Sequence, residues 1–299
     1  RCGRTTAAKI PFFADTRRYR PAETIPEREA KTVFSKGRIR ISEEDSLSLF
    51  DFFSTASMEK NPVIELRNVA VFHSAKPGSS NPKKRGEMVV SGVNLTVCEG
   101  EMVYFIGKVG SGKSSLIKTL YAEVPLVEGE GRIVGFDLRR MKRRDISRLR
   151  RSIGIVFQDY QLLSDRDVFG NLHYVMKATG WKNETDMRKR IEEVLSVVGL
   201  ENKAFKMPFE LSGGQQQRLA VARALVNNPR VILADEPTGN LDPWAAEDIM
   251  EVFRRIVAGG CSIVMSTHNI ANIEQFPART IRFNKGKVEE IDISSVLGA

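Results

Sequence analysis

The chain has 299 residues, 41% of them hydrophobic, which is enough for one large core or two smaller ones. No stretch approaches 18 uninterrupted apolar residues and no secretory leader stands out, so a cytoplasmic protein without a bilayer-spanning helix is expected. The formal charge of +9 raises the question of a nucleic-acid partner, but no aromatic platform or nucleic-acid module accompanies it, and none is expected.

Residues 1–60 carry short apolar patches such as Pro-Phe-Phe at 11–13, set between basic and acidic clusters without a sustained period. They are expected to form a loosely attached or disordered extension. Met58 stands just ahead of the first clean strand and is an alternative start of translation. Regular patterning begins at Pro62. Val63–Phe72 and Met88–Val97 read as strands, joined by a hairpin loop over Lys76–Gly86 that is rich in Lys, Pro, Ser and Gly. Met102–Ile106 is a short apolar strand, and Ser114–Tyr121 begins a helix.

Between them, Gly107-Lys-Val-Gly-Ser-Gly-Lys-Ser114 fits the phosphate-binding loop pattern. Gly107, Gly110 and Gly112 let backbone N–H groups turn inward where side chains would collide. Ser111 belongs to the same loop, and the helix start adds its positive dipole end. Lys113 can reach the β- and γ-phosphates, and the Ser114 hydroxyl can ligate magnesium.

Arg139–Arg151 holds eight basic residues and one acid. It reads either as a solvated, irregular helix face or as a contact for phosphates or anionic lipid. Ile153–Phe157 is a strand, and Gln158 at its end is placed to sense magnesium or water. From about 159 to 228 the pattern turns helical. Met187, Ile191, Val194, Leu195 and Val198 fall on one face of a helix over Asp186–Val198, with Gly199 as its stop.

Val231–Ala234 is a buried strand that delivers Asp235 to a metal shell. Glu236 beside it could orient or deprotonate water. Cys261–Met265, Thr280–Phe283 and Lys287–Ile291 complete the strands, and His268 follows the first of these by three residues. Cys2, Cys98 and Cys261 make no metal or disulfide pattern.

Leu211-Ser-Gly-Gly-Gln215 lies inside the helical part, twenty residues before Asp235. With it the chain resembles the ABC ATPase family. The resemblance implies an α/β fold: a P-loop ABC ATPase core over 61–292 with an antiparallel N-terminal β-subdomain, a helical subdomain at 159–228, and a short tail at 293–299. It further implies ATP and Mg2+ as cofactors and a homodimer in which Ser212, Gly213, Gly214 and Gln215 of one copy cap the γ-phosphate held by the other. Ser115 joins the nucleotide contacts. Asp242 lies in the loop that crosses the interface, and Phe72 is the aromatic expected to stack on adenine. Glu236, His268 and Gln158 take catalytic roles; Ser114, Gln158 and Asp235 take the metal.

Within the family, Phe157-Gln-Asp-Tyr-Gln-Leu-Leu-Ser-Asp-Arg-Asp-Val168 resembles the FtsE branch of cell-division ATPases. The P-loop followed by Leu-Ile-Lys-Thr-Leu-Tyr is similar to its Bacteroidetes-type version. That branch implies an FtsX-like integral membrane permease as partner, control of peptidoglycan hydrolysis as the role, and a peripheral position on the cytoplasmic face of the bacterial inner membrane. The stretch 233–242 is shared with lipoprotein-releasing and macrolide-type exporters, the alternative reading.

Overall fold

The computed structural model describes residues 61–73 and 86–292, which fall within one compact unit, Lys60–Ala299. The expected extension over 1–60, the loop over 76–85 and the tail over 293–299 lie outside the described residues.

Two sheets organise the unit. In the first, the order is β2–β1–β4–β5, built from β1 (Pro62–His73), β2 (Glu87–Cys98), β4 (Glu128–Ile133) and β5 (Phe136–Asp137). All its pairings are antiparallel. The second contains β3 (Met102–Gly107), β6 (Ile153–Val156), β7 (Val231–Asp235), β8 (Ser262–Ser266), β9 (Arg279–Asn284) and β10 (Lys287–Ile291), in the order β10–β9–β3–β8–β7–β6. Five of these run parallel, and β10 closes the edge as an antiparallel hairpin with β9.

The parallel strands are apolar on both faces because both are covered. Along β3, Val103 and Phe105 join one core while Tyr104 and Ile106 join the other. Along β7, Val231 and Leu233 alternate with Ile232 and Ala234 in the same way. The first core fills the space between the two sheets and includes Leu116, Ile117 and Leu120 of helix α1 (Lys113–Leu120). The second lies under the helical subdomain. A continuous apolar run therefore ends at the site from each of two strands, β3 and β7, which lie on either side of β8.

Helix α2 (Arg143–Ser152) carries the basic run and is regular, not irregular. Leu149 is its one buried residue, and Arg150 Nε donates to Tyr121 O at 3.2 Å, so two contacts anchor a face that is otherwise charged. The helical subdomain follows with α3 (Val168–Ala178), α4 (Glu184–Val198) and α5 (Gly213–Leu225). Helix α4 starts two residues ahead of the sequence expectation because the Asn183 side chain accepts from Thr185 N and Asp186 N. It ends where Gly199 takes φ 69°. Two further helices, α6 (Pro243–Ala258) and α7 (Ile270–Gln275), receive no assignment from the sequence reading.

The expected peripheral position at the bacterial inner membrane is corrected here. Among the described residues no helix is long and apolar enough to cross a membrane. The longest, α6, has 16 residues, about 24 Å against a hydrocarbon core of about 30 Å, and charged side chains interrupt it. The described chain has no helix of its own with which to hold itself in a bilayer.

Candidate nucleotide site

Strand β3 ends at Gly107, and α1 begins after Gly112, so six residues turn the chain through the loop. Gly112 has φ 103°, and a Cβ there would lie 2.2 Å from Val90 Cγ2. Gly107 has φ 144°, and a Cβ there would lie 2.3 Å from Phe283 O. Only glycine meets both the backbone conformation and the close approach of β2 and β9. Gly112→Ala is therefore expected to cost about 2 kcal/mol or more and to abolish ATP binding, as read by thermal unfolding and nucleotide titration. Gly110, with φ 79°, has open space around it at the apex.

The start of α1 has no side-chain cap and no acidic residue in its first turn. Its free N–H groups and dipole suit an anion. Lys113 is 6% exposed, and its Nζ donates to Gly107 O at 2.8 Å and Lys108 O at 3.3 Å. The Ser111 hydroxyl is buried with no hydrogen-bond partner. An orphaned hydroxyl, an ammonium with two of its three donors placed and an uncapped helix start fit phosphate oxygens. Ser115 is buried in the same turn, and its carbonyl accepts from Thr119 Oγ1.

The carboxylates converge on this loop from β7. Asp235 Oδ1 accepts from Ser114 Oγ at 2.9 Å and from Ser266 Oγ at 2.6 Å. At Glu236 the chain turns left-handed, φ 50°, which a non-glycine residue adopts at a cost. Ser266 holds it there: the Glu236 N–H lies 2.9 Å from Ser266 Oγ and 3.2 Å from Ser266 O. The carboxylate then sits between His268 Nδ1 at 2.7 Å and Lys113 Nζ at 4.0 Å. Among the described residues no group of three or more His, Cys, Asp or Glu side chains is placed to hold a metal. The Ser114–Asp235 pair instead suits magnesium, which takes one or two protein ligands and completes its shell with phosphate oxygens and water.

Gln158 is not directed at that pair. Its Nε2 donates to Asn240 Oδ1 at 3.1 Å, and Asn240 Nδ2 donates back to Gln158 O at 3.1 Å. Asn240 and Ser266 were both missed from sequence. Ser266 could have been found as the polar end of an apolar strand two residues before His268; Asn240 lies in the same 239–242 loop as Asp242 but receives no role of its own from the sequence reading.

The Ser212–Gln215 segment makes a capping box at the start of α5. Ser212 Oγ accepts from Gln215 N at 3.4 Å, and Gln215 Oε1 accepts from Ser212 N at 3.2 Å. Ser212 and Gly213 are exposed, while Gly214 lies against Ala245. Asp242 caps α6 by accepting from Ala245 N at 2.9 Å. No hydrogen bond joins these residues to the phosphate loop among the described residues. Phe72 is 8% exposed on β1, opposite Met88.

Comparisons with known proteins show the family and the fold. The family model described as ABC transporter matches residues 90–239. The chain is 45% identical over 203 residues to the cell division ATP-binding protein FtsE of Streptococcus pneumoniae, an alignment covering 68% of this chain and 88% of that protein. It is similar to cbiO1 from Clostridium perfringens, part of the ABC transporter complex cbiONQ, with TM-score 0.70 and 27% identity over 80% of this chain and 92% of that one. It is also similar to the dimeric structure of MJ0796, a bacterial ABC transporter cassette, with TM-score 0.65 and 34% identity over 77% and 98%. The α/β cassette with an N-terminal β-subdomain and a helical subdomain is the fold these structures share with this chain.

Proposed function

Since the chain belongs to the ABC transporter family of ATP-binding cassettes, we propose that it hydrolyses ATP to ADP and phosphate and drives an FtsX-like membrane partner in cell division. The observation that carries the first half is the Lys113–Glu236–His268 line beside the Ser114–Asp235 pair. Lys113 and the α1 N–H groups bind and orient the phosphates. Ser114 and Asp235 would hold Mg2+, with Gln158 joining them by leaving Asn240. The bound cation would neutralise charge developing on the phosphate oxygens. Glu236 orients the attacking water and takes its proton, while His268 fixes the carboxylate from the other side.

An ABC cassette pairs with a second cassette and with a membrane permease. In this chain the Ser212–Gln215 box faces outward, as capping a nucleotide held by a second copy requires. Val109 at the loop apex is 97% exposed, and Trp244 beside Asp242 is 79% exposed. Apolar side chains left in water around the site favour a surface that a partner covers.

The cell-division role is supported by the 45% identity to FtsE and by the Phe157–Val168 segment. The P-loop and the residues that follow it favour the Bacteroidetes-type version of that branch. The test is purification of the full chain from native cells in mild detergent, with its partner identified by mass spectrometry. An FtsX-like permease is expected. Recovery of a lipoprotein-releasing or macrolide-type permease in its place would sink the division role and leave the ATPase chemistry standing.

A further inference from the structure

Beginning two residues after Gln158 the backbone takes two consecutive left-handed residues, Tyr160 at φ 58° and Gln161 at φ 48°. Neither is glycine, so both positions are strained, and within the turn the Gln161 N–H donates to Asp159 O at 2.6 Å. Arg223, in the last turn of α5, spans both. Its Nη2 donates to Tyr160 O at 2.8 Å and its Nη1 donates to Gln161 O. A planar fork reaching two adjacent carbonyls is a geometry that lysine cannot reproduce. The guanidinium is taken partly out of water, which lowers its pKa, and the Asp159 carboxylate acts against that shift.

The same helix begins at Ser212, thirteen residues long from Gly213 to Leu225. Its first turn also meets the strained segment, because a Cβ on Gly213 would lie 3.2 Å from the Tyr160 hydroxyl. Both ends of α5 thus touch residues 160–161, and Gln158 just upstream is doubly bonded to Asn240.

We infer that Arg223 is a positioning residue for Gln158: it holds the left-handed turn at 160–161 and so ties the setting of Gln158 to α5. The effect on turnover rests on the proposed ATPase reading; the clamp itself does not.

Hydrogen exchange on the full chain tests the clamp directly. In Arg223→Lys, exchange across 158–163 is expected to accelerate about tenfold or more, with α5 and β6 unchanged. Unchanged exchange in that segment overturns the inference. If Arg223→Lys does not fold, Arg223→Gln, which keeps a donor for one carbonyl, carries the same measurement. For turnover, Arg223→Lys is expected to lower kcat about tenfold at an unaltered KM for ATP, and to add nothing further in a Gln158→Ala background. Losses that multiply would mean Arg223 acts by another route and would overturn the positioning role. A wild-type chain that fails to hydrolyse ATP, alone and with its permease, would sink the ATPase reading, and the exchange result would still decide the clamp.

Discussion

Glu236→Gln is expected to reduce ATP turnover by about 100-fold or more while leaving ATP affinity within about twofold. The substitution preserves size and an acceptor oxygen toward His268, 2.7 Å away. It also leaves the left-handed backbone at φ 50° and its Ser266 contacts in place, because neither depends on the carboxylate charge. What disappears is the negative oxygen proposed to take a proton from water, which faces Lys113 at 4.0 Å. Nucleotide held but not cleaved should keep two cassettes closed on each other. Size-exclusion chromatography with ATP should then show a dimer for this variant at concentrations where the wild type returns to monomer. Steady-state phosphate release provides the rate. Wild-type turnover in the variant would remove Glu236 from the chemistry and shift attention to Asp235.

How far the site was legible depended on whether a residue's job is local. Gly107, Gly112, Lys113 and Ser114 serve one turn between one strand and one helix, and the backbone demands at φ 144° and φ 103° dictate residue type within eight positions. Strand β7 announced itself because both its faces are buried, which makes an unbroken apolar run ending in two acids. Gln158 was identified by position, yet its amide faces Asn240, 82 residues away, and no local pattern encodes that distance. Arg223 was missed for the same reason: its carbonyl partners lie 62 and 63 residues upstream.

Other misreadings came from residues that serve two purposes. Asp242 followed by Pro243 is a helix-start signal, an N-cap with proline at the first position, and the structure uses it so in α6. Reading Asp242 only as part of an interface loop hid the helix behind it. Ser212 and Gln215 likewise satisfy a capping box within their own chain, whatever they meet across an interface. The basic run left the helix α2 as only one of two readings, because one buried leucine in ten residues is too sparse to show a helical period.

Lys113→Ala is expected to fail one step earlier than Glu236→Gln, at binding. A charge-assisted contact to phosphate contributes about 1.5–3 kcal/mol, so the Kd for ATP should rise by about 10- to 100-fold. The ammonium is only 6% exposed and already spans Gly107 O and Lys108 O, so its position is set before any nucleotide arrives. Removing it leaves Gly107 O without that donor and Glu236 without its neighbouring cation. The nucleotide-free variant should therefore lose about 1 kcal/mol of stability, a modest change beside the loss of binding. Thermal unfolding with and without ATP separates the two effects. At a ligand concentration 100 times the wild-type Kd, ATP should stabilise the wild type by about 2.7 kcal/mol and the variant by about 0.4 to 1.4 kcal/mol. Glu236→Gln, which still binds, should show the full shift. A Lys113→Ala chain with the wild-type shift would mean that the α1 N–H groups hold the phosphates unaided, and that the lysine serves the loop's own carbonyls.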